Sequence, residues 1–96
     1  MAIATLHISS EALELAGTYD AVGDVLYLSG GSDDKNAPAQ ETPEGHAVRL
    51  DLDGRVTHVT VINASWLLER DGQLTATLRD GRRLQLDAAD LAEFLG

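Results

Sequence analysis

"ASWLLERDGQLTATLRDGRRLQLD", residues 64 to 87, places apolar runs around two Asp-Gly pairs, and its reading decides the fold. Asp-Gly between segments of alternating polarity is a strong hairpin signal, because both residue types tolerate the left-handed geometry of tight turns. A three-residue loop at Arg70-Asp71-Gly72 sets Leu68 opposite Leu74, Trp66 opposite Ala76 and Ala64 opposite Leu78. The same loop at Arg79-Asp80-Gly81 sets Ala76 opposite Leu84 and Leu74 opposite Leu86, with Thr75, Thr77, Arg83 and Gln85 on the other face. Two-residue turns would shift the register by one and put Leu74 and Ala76 on the face opposite Leu68 and Trp66. The three-residue loops are therefore preferred, and Trp66 is expected as a buried anchor.

A third Asp-Gly lies in "DLDGRVTHVTVI", residues 51 to 62. As a calcium loop it would need oxygen ligands at alternate early positions, glycine at the sixth and a bidentate glutamate at the twelfth. Arg55, Val56 and Ile62 stand at the fifth, sixth and twelfth places, which excludes an EF-hand. As a hairpin, a two-residue Asp53-Gly54 loop aligns Val48 with Val59, whereas a three-residue loop aligns Leu50 with Val56. A bulge reconciles the two.

Upstream, Asp20 to Asp24 read as a turn and Val25, Leu26, Tyr27 and Leu28 as a strand. Ser29 to Gly45, rich in glycine, proline and charge with no apolar period, reads as a long mobile loop. Ile3, Leu6 and Ile8, then Leu13 and Leu15, favour strands, although a short capped helix over Ser9 to Gly17 is the alternative. At the other end Asp87 is a good N-cap, and Ala88, Leu91, Phe94 and Leu95 fall at helical spacing. The expected architecture is one mainly β (α+β) domain over residues 1–96: a small antiparallel meander with one short C-terminal helix over Ala88 to Leu95.

A chain of 96 residues suits one domain with a modest core. The absence of cysteine removes disulfides, thiolate metal sites and cysteine nucleophiles. The start has neither a basic residue nor an apolar run suited to a signal peptide or membrane helix, so no membrane association and a cytoplasmic setting are expected. The formal charge is -9, with Lys35 the one base in residues 1 to 48. Nucleic-acid binding needs a basic face and is not expected; a basic protein partner suits the charge better, although an acidic balance of this size more often serves solubility alone.

"YDAVGDVLYL" at residues 19 to 28, followed by "VRLDLDGRVTHVTVINAS" at 48 to 65, resembles the bacterial family catalogued as domain of unknown function 2283. The shared pattern is a tyrosine-aspartate turn, an Asp-x-Leu-Tyr strand, an Asp-x-Asp-Gly hairpin, an aliphatic strand and an alanine-serine end. The chain departs from it in a longer N-terminal segment, in the threonines and His58 of the hairpin, and in the region from Ser65 to Gly96. The resemblance implies a compact β-rich domain and no reaction; by analogy with small domains encoded beside toxin-like proteins, it suits an acidic neutralising partner.

His7, His46, His58, Tyr19, Tyr27 and the serines are the candidate catalytic groups, and no nucleophile-elbow, zinc-helix or phosphate-loop pattern joins them. His46 is expected opposite Val61 at a strand end. Asp20, Asp24, Asp33 and Asp34 offer oxygen ligands for a hard cation without the spacing of a matched set, and turn chemistry accounts for them. No catalytic, cofactor-binding or metal residue is therefore assigned. The sequence points to a non-catalytic interaction module that self-associates as a homodimer through sheet edges or an apolar face. The alternatives are an antitoxin-like neutraliser of a basic partner and a weak metal or small-ligand binding domain.

Overall fold

The computed structural model describes residues 2–8, 11–30, 39–51, 54–87 and 91. In chain order these form β1 (Ala2–Ile8), β2 (Glu11–Asp20), β3 (Val25–Ser29), β4 (Ala39–Glu41), β5 (Ala47–Leu50), β6 (Val56–Ile62), α1 (Ala64–Asp71), β7 (Gln73–Thr77) and β8 (Arg83–Asp87). The strands make one antiparallel eight-stranded sheet in the order β4-β5-β6-β3-β2-β1-β8-β7. The mainly β class is thus as expected, and the N-terminal residues are strands.

The apolar alternation explains which face lies inside. Leu6, Leu15, Leu26, Leu28, Val48, Val59, Val61, Leu74, Ala76, Leu84 and Leu86 point to one side and are buried in a single cluster. Each buried aliphatic side chain contributes about 1.5–3 kcal/mol by leaving water. A single sheet buries one face only by curling around it or by covering it, and here the sheet curls until its two edges, β4 and β7, meet through side-chain hydrogen bonds.

Two of the expected turns are present. β7 and β8 pair Ala76 with Leu84 and Leu74 with Leu86, and Leu78 N–H donates to Arg82 O at 2.8 Å across a three-residue loop with Gly81 at φ 94. In the first hairpin both registers occur: Val48 faces Val59, Arg49 faces His58, then Leu50 faces Val56. Thr57 is the extra residue of a bulge; its hydroxyl donates to Arg49 O at 3.1 Å, which satisfies a buried polar group. Of the turn itself, Leu52 and Asp53 lie outside the described residues.

The Asp71-Gly72 hairpin is not formed. Residues 64 to 71 are helical, β6 and β7 are not neighbours, and the meander is interrupted there. The physical reason is that a left-handed glycine ends a helix as readily as it turns a hairpin: Gly72, at φ 75, donates its N–H to Leu68 O at 2.8 Å. Ala64, Leu67 and Leu68 also fit a helical period and rest against the core, whereas Trp66 of the alternating set does not. Trp66 is consequently 55% exposed instead of buried, with the Arg70 guanidinium 4.8 Å from its ring centre.

Within the stretch read as a loop, Ala39–Glu41 form an edge strand, because backbone pairing with β5 needs no apolar period in the side chains. Residues 31–38 lie outside the described set. So does most of the expected C-terminal helix; Leu91, its described residue, is helical and fully buried.

The exposed tryptophan and the enclosed leucines should separate in chemical unfolding. At low protein concentration Trp66→Ala is expected to cost less than about 1 kcal/mol, whereas Leu28→Ala costs about 2–5 kcal/mol. Equal losses in urea titrations would contradict the helical placement of Trp66.

Candidate functional site

Two polar constructions stand out from the apolar interior. The first is at Asp24, in the turn between β2 and β3. Helix α1 begins after Asn63, which has φ 59 and provides no side-chain cap. The free amides of its first turn go instead to Asp24: Ala64 N–H donates to the Asp24 carbonyl at 3.0 Å, Ser65 N–H to Oδ1 at 2.9 Å and Trp66 N–H to Oδ2 at 3.4 Å. Leu67 N–H then opens the regular ladder by donating to Asn63 O. Tyr19 Oη donates to the same Asp24 carboxylate, and the two residues sit 5 positions apart across the turn.

Burial pulls the Asp24 pKa upward, but the bonds from Tyr19, Ser65 and Trp66 outweigh it and hold the carboxyl below the ordinary aspartate range. The Tyr19 phenol is raised, chiefly by its bond to Asp24. Asp20 is engaged in its own turn, with Oδ1 accepting from Val22 N–H at 3.1 Å. Asp20 and Asp24, weighed as cation ligands from the sequence, thus serve the turn and the helix start; Asp33 and Asp34 lie outside the described residues. Among the described residues no group of three or more His, Asp or Glu side chains gathers to hold a metal ion.

The second construction is the seam between the sheet edges. Antiparallel pairing directs alternate amides to alternate sides, and because Leu78 donates to β8, the amides of Gln73, Thr75, Thr77 and Arg79 face away from it. Glu44 grips Thr77 with both oxygens: Thr77 N–H donates to Oε1 at 2.9 Å and Thr77 Oγ1 to Oε2 at 2.6 Å. Arg79 N–H donates to Gln40 Oε1 at 3.0 Å. Side chains replace a backbone ladder, so the seam is closed along this half. Burial raises the Glu44 pKa, but the bonds from Thr77, with those from its own backbone and Thr42, together outweigh it and hold the carboxyl below the ordinary glutamate range.

Along the other half the seam opens into a cleft of about 250 Å³, lined by Glu44, His46, Leu67, Arg70, Gln73 and Thr75 among others. His46, 2% exposed, precedes β5 and accepts the Ile62 N–H on Nδ1 at 3.2 Å, so its neutral ring holds the proton on Nε2. This agrees with its expected place at the strand end. Burial pushes its pKa below the ordinary value, against the pull of the Glu44 carboxylate. His7 and His58 lie on β1 and β6 at outward positions, away from His46 in the alternation, so the sheet does not gather the three histidines on one face. The role of Glu44 was not legible from the sequence, since it lies in a stretch without period.

No described helix is long and apolar enough to cross a membrane. Comparison with family models, curated proteins and solved structures finds no match to this chain.

Two outcomes follow for pH. Asp24→Ala should cost about 0.5–2 kcal/mol at neutral pH, as loss of a helix cap does, and the difference from wild type should vanish as pH falls through the depressed Asp24 pKa, below about 3.9, where the wild-type carboxyl is itself protonated. For His46 the folded state binds its proton less tightly than the unfolded chain does. Its contribution is complete above about pH 6.5 and is lost as pH falls below that value, so His46→Gln should flatten the dependence of urea stability on pH between about 7 and 5. An unchanged slope in the variant would remove His46 from this role.

Proposed function

We propose that this protein is a non-catalytic interaction domain of the bacterial cytoplasm that pairs with a second copy of itself through an exposed apolar surface. The observation that supports this reading is the group formed by Val22, Tyr27, Ile62 and Trp66, all large apolar side chains left exposed. Val25 faces Ile62 across the β3–β6 pair, and Tyr27 follows on the same outward face. Trp66 begins beside the β2–β3 turn, where its amide meets Asp24, and Val22 is at the tip of that turn. These residues therefore occupy neighbouring parts of the surface. Tryptophan and tyrosine lose little entropy on being covered and are favoured in interfaces, and apolar groups exposed close together mark a surface for association.

Of the two association modes open to such a sheet, the apolar face is favoured over pairing of two copies by this edge, because Glu44 holds the Thr77 amide and Gln40 that of Arg79 just beyond β7, which leaves only the short run from Gln73 to Thr75 open. The likeness to the family of unknown function 2283 gains a physical sense in this reading: Tyr19, Asp24, Ala64 and Ser65, which belong to the shared pattern, are the residues that meet at the helix start. A second reading, neutralisation of a basic partner, is favoured by the formal charge of -9.

Light scattering at micromolar concentration, in moderate salt to screen acidic repulsion, should give about twice the chain mass. Ile62→Asp should restore the monomer, and the single tryptophan should shift its emission to longer wavelength on dilution. A monomer mass that stays constant on further concentration would defeat the self-association reading.

A further inference from the structure

We propose that the open half of the seam is a second binding site, which takes an extended basic peptide as an added strand along Gln73–Thr75 of β7. The amides of Gln73 and Thr75 point away from β8, as those of Thr77 and Arg79 do, but among the described residues neither has a hydrogen-bond partner. Edge groups of this kind are a template for strand addition, in which the backbone supplies the affinity. The cleft beside them is lined by the apolar Leu67 and Leu74 together with His46 and Glu44.

Charge selects the kind of peptide. Arg70 is paired with Asp71 at 2.9 Å, so their charges cancel. Both Glu44 oxygens are held by neutral groups of Thr77, and among the described residues no cation pairs with that carboxylate. Its hydrogen bonds favour the ionised form. Among the described residues, Glu44 thus gives the cleft an uncompensated negative charge, which attracts a lysine or arginine on the incoming strand and disfavours an acidic one. Arg70 borders both this cleft and the Trp66 ring, but the two sites use different groups, backbone amides here and apolar side chains there, so either can fail while the other stands.

The test is a titration of the full chain, followed by backbone amide and histidine NMR, with a short acetylated peptide of alternating lysine and valine. Peptides with glutamate or serine in place of lysine are the comparison. The lysine peptide should shift and protect the Gln73 and Thr75 amides and move the His46 ring signals, with affinity that falls as salt rises. Glu44→Gln, which keeps an acceptor for Thr77 and removes the charge, should weaken binding about tenfold. Thr75→Pro removes an amide that β8 does not use and should abolish the shifts; if that variant misfolds, N-methylation of alternate peptide residues makes the same test on wild-type protein. Equal binding of the glutamate peptide, or binding undiminished by N-methylation, would overturn the proposal. Shifts at these amides that appear on concentrating the protein without peptide would assign the edge to a second copy and likewise overturn it.

Discussion

The carboxylate of Asp24 determines where the chain goes after β6. A helix eight residues long gains little from its own ladder, since nucleation is unfavourable and few bonds repay it. Here the first amides are satisfied by one residue from another part of the sheet, so the helix start is fixed to the β2–β3 turn before any packing is counted. With α1 in place, β7 cannot fold back on β6 as a hairpin; it joins β8 at the far edge instead. The left-handed Gly72 then ends the helix where a hairpin would have turned.

From that placement the closure of the sheet follows. β7 arrives facing β4 and the turn before β5, and the outward amides that a flat sheet would expose find Gln40 and Glu44. Curling lets the sheet enclose its own apolar face, with Ala64, Leu67 and Leu68 of α1 packed against it. A further tie, from Arg82 to the carbonyl of Gly54 at 2.8 Å, joins the β7–β8 turn to the β5–β6 hairpin. Arg82 also bonds Asp80 within its own turn, an exposed ion pair whose contribution to stability is small.

Among the described residues, the space enclosed by Leu6, Val59, Val61 and Leu84 is about 10 Å³, on the order of one water molecule. The features on which the proposals rest lie on the outside: the apolar residues near α1 and the unclosed half of the seam. Both proposed sites lie on the surface and offer what a second chain would use, apolar side chains at one and open backbone amides at the other.

The sequence by itself determined what depends on neighbours along the chain. The alternation of Leu74, Ala76, Leu78, Leu84 and Leu86 and the left-handed Gly81 set the register of the last hairpin, and the conflict between two turn lengths at Asp53-Gly54 correctly called for a bulge. The tertiary structure decided what depends on partners far away. "ASWLLERDG" satisfies both an alternating and a helical period, and the choice came from Asp24, some 40 residues upstream. The edge strand Ala39–Glu41 and the Glu44 clamp carry no apolar signal, because backbone pairing and a carboxylate's bonds leave no mark in local periodicity.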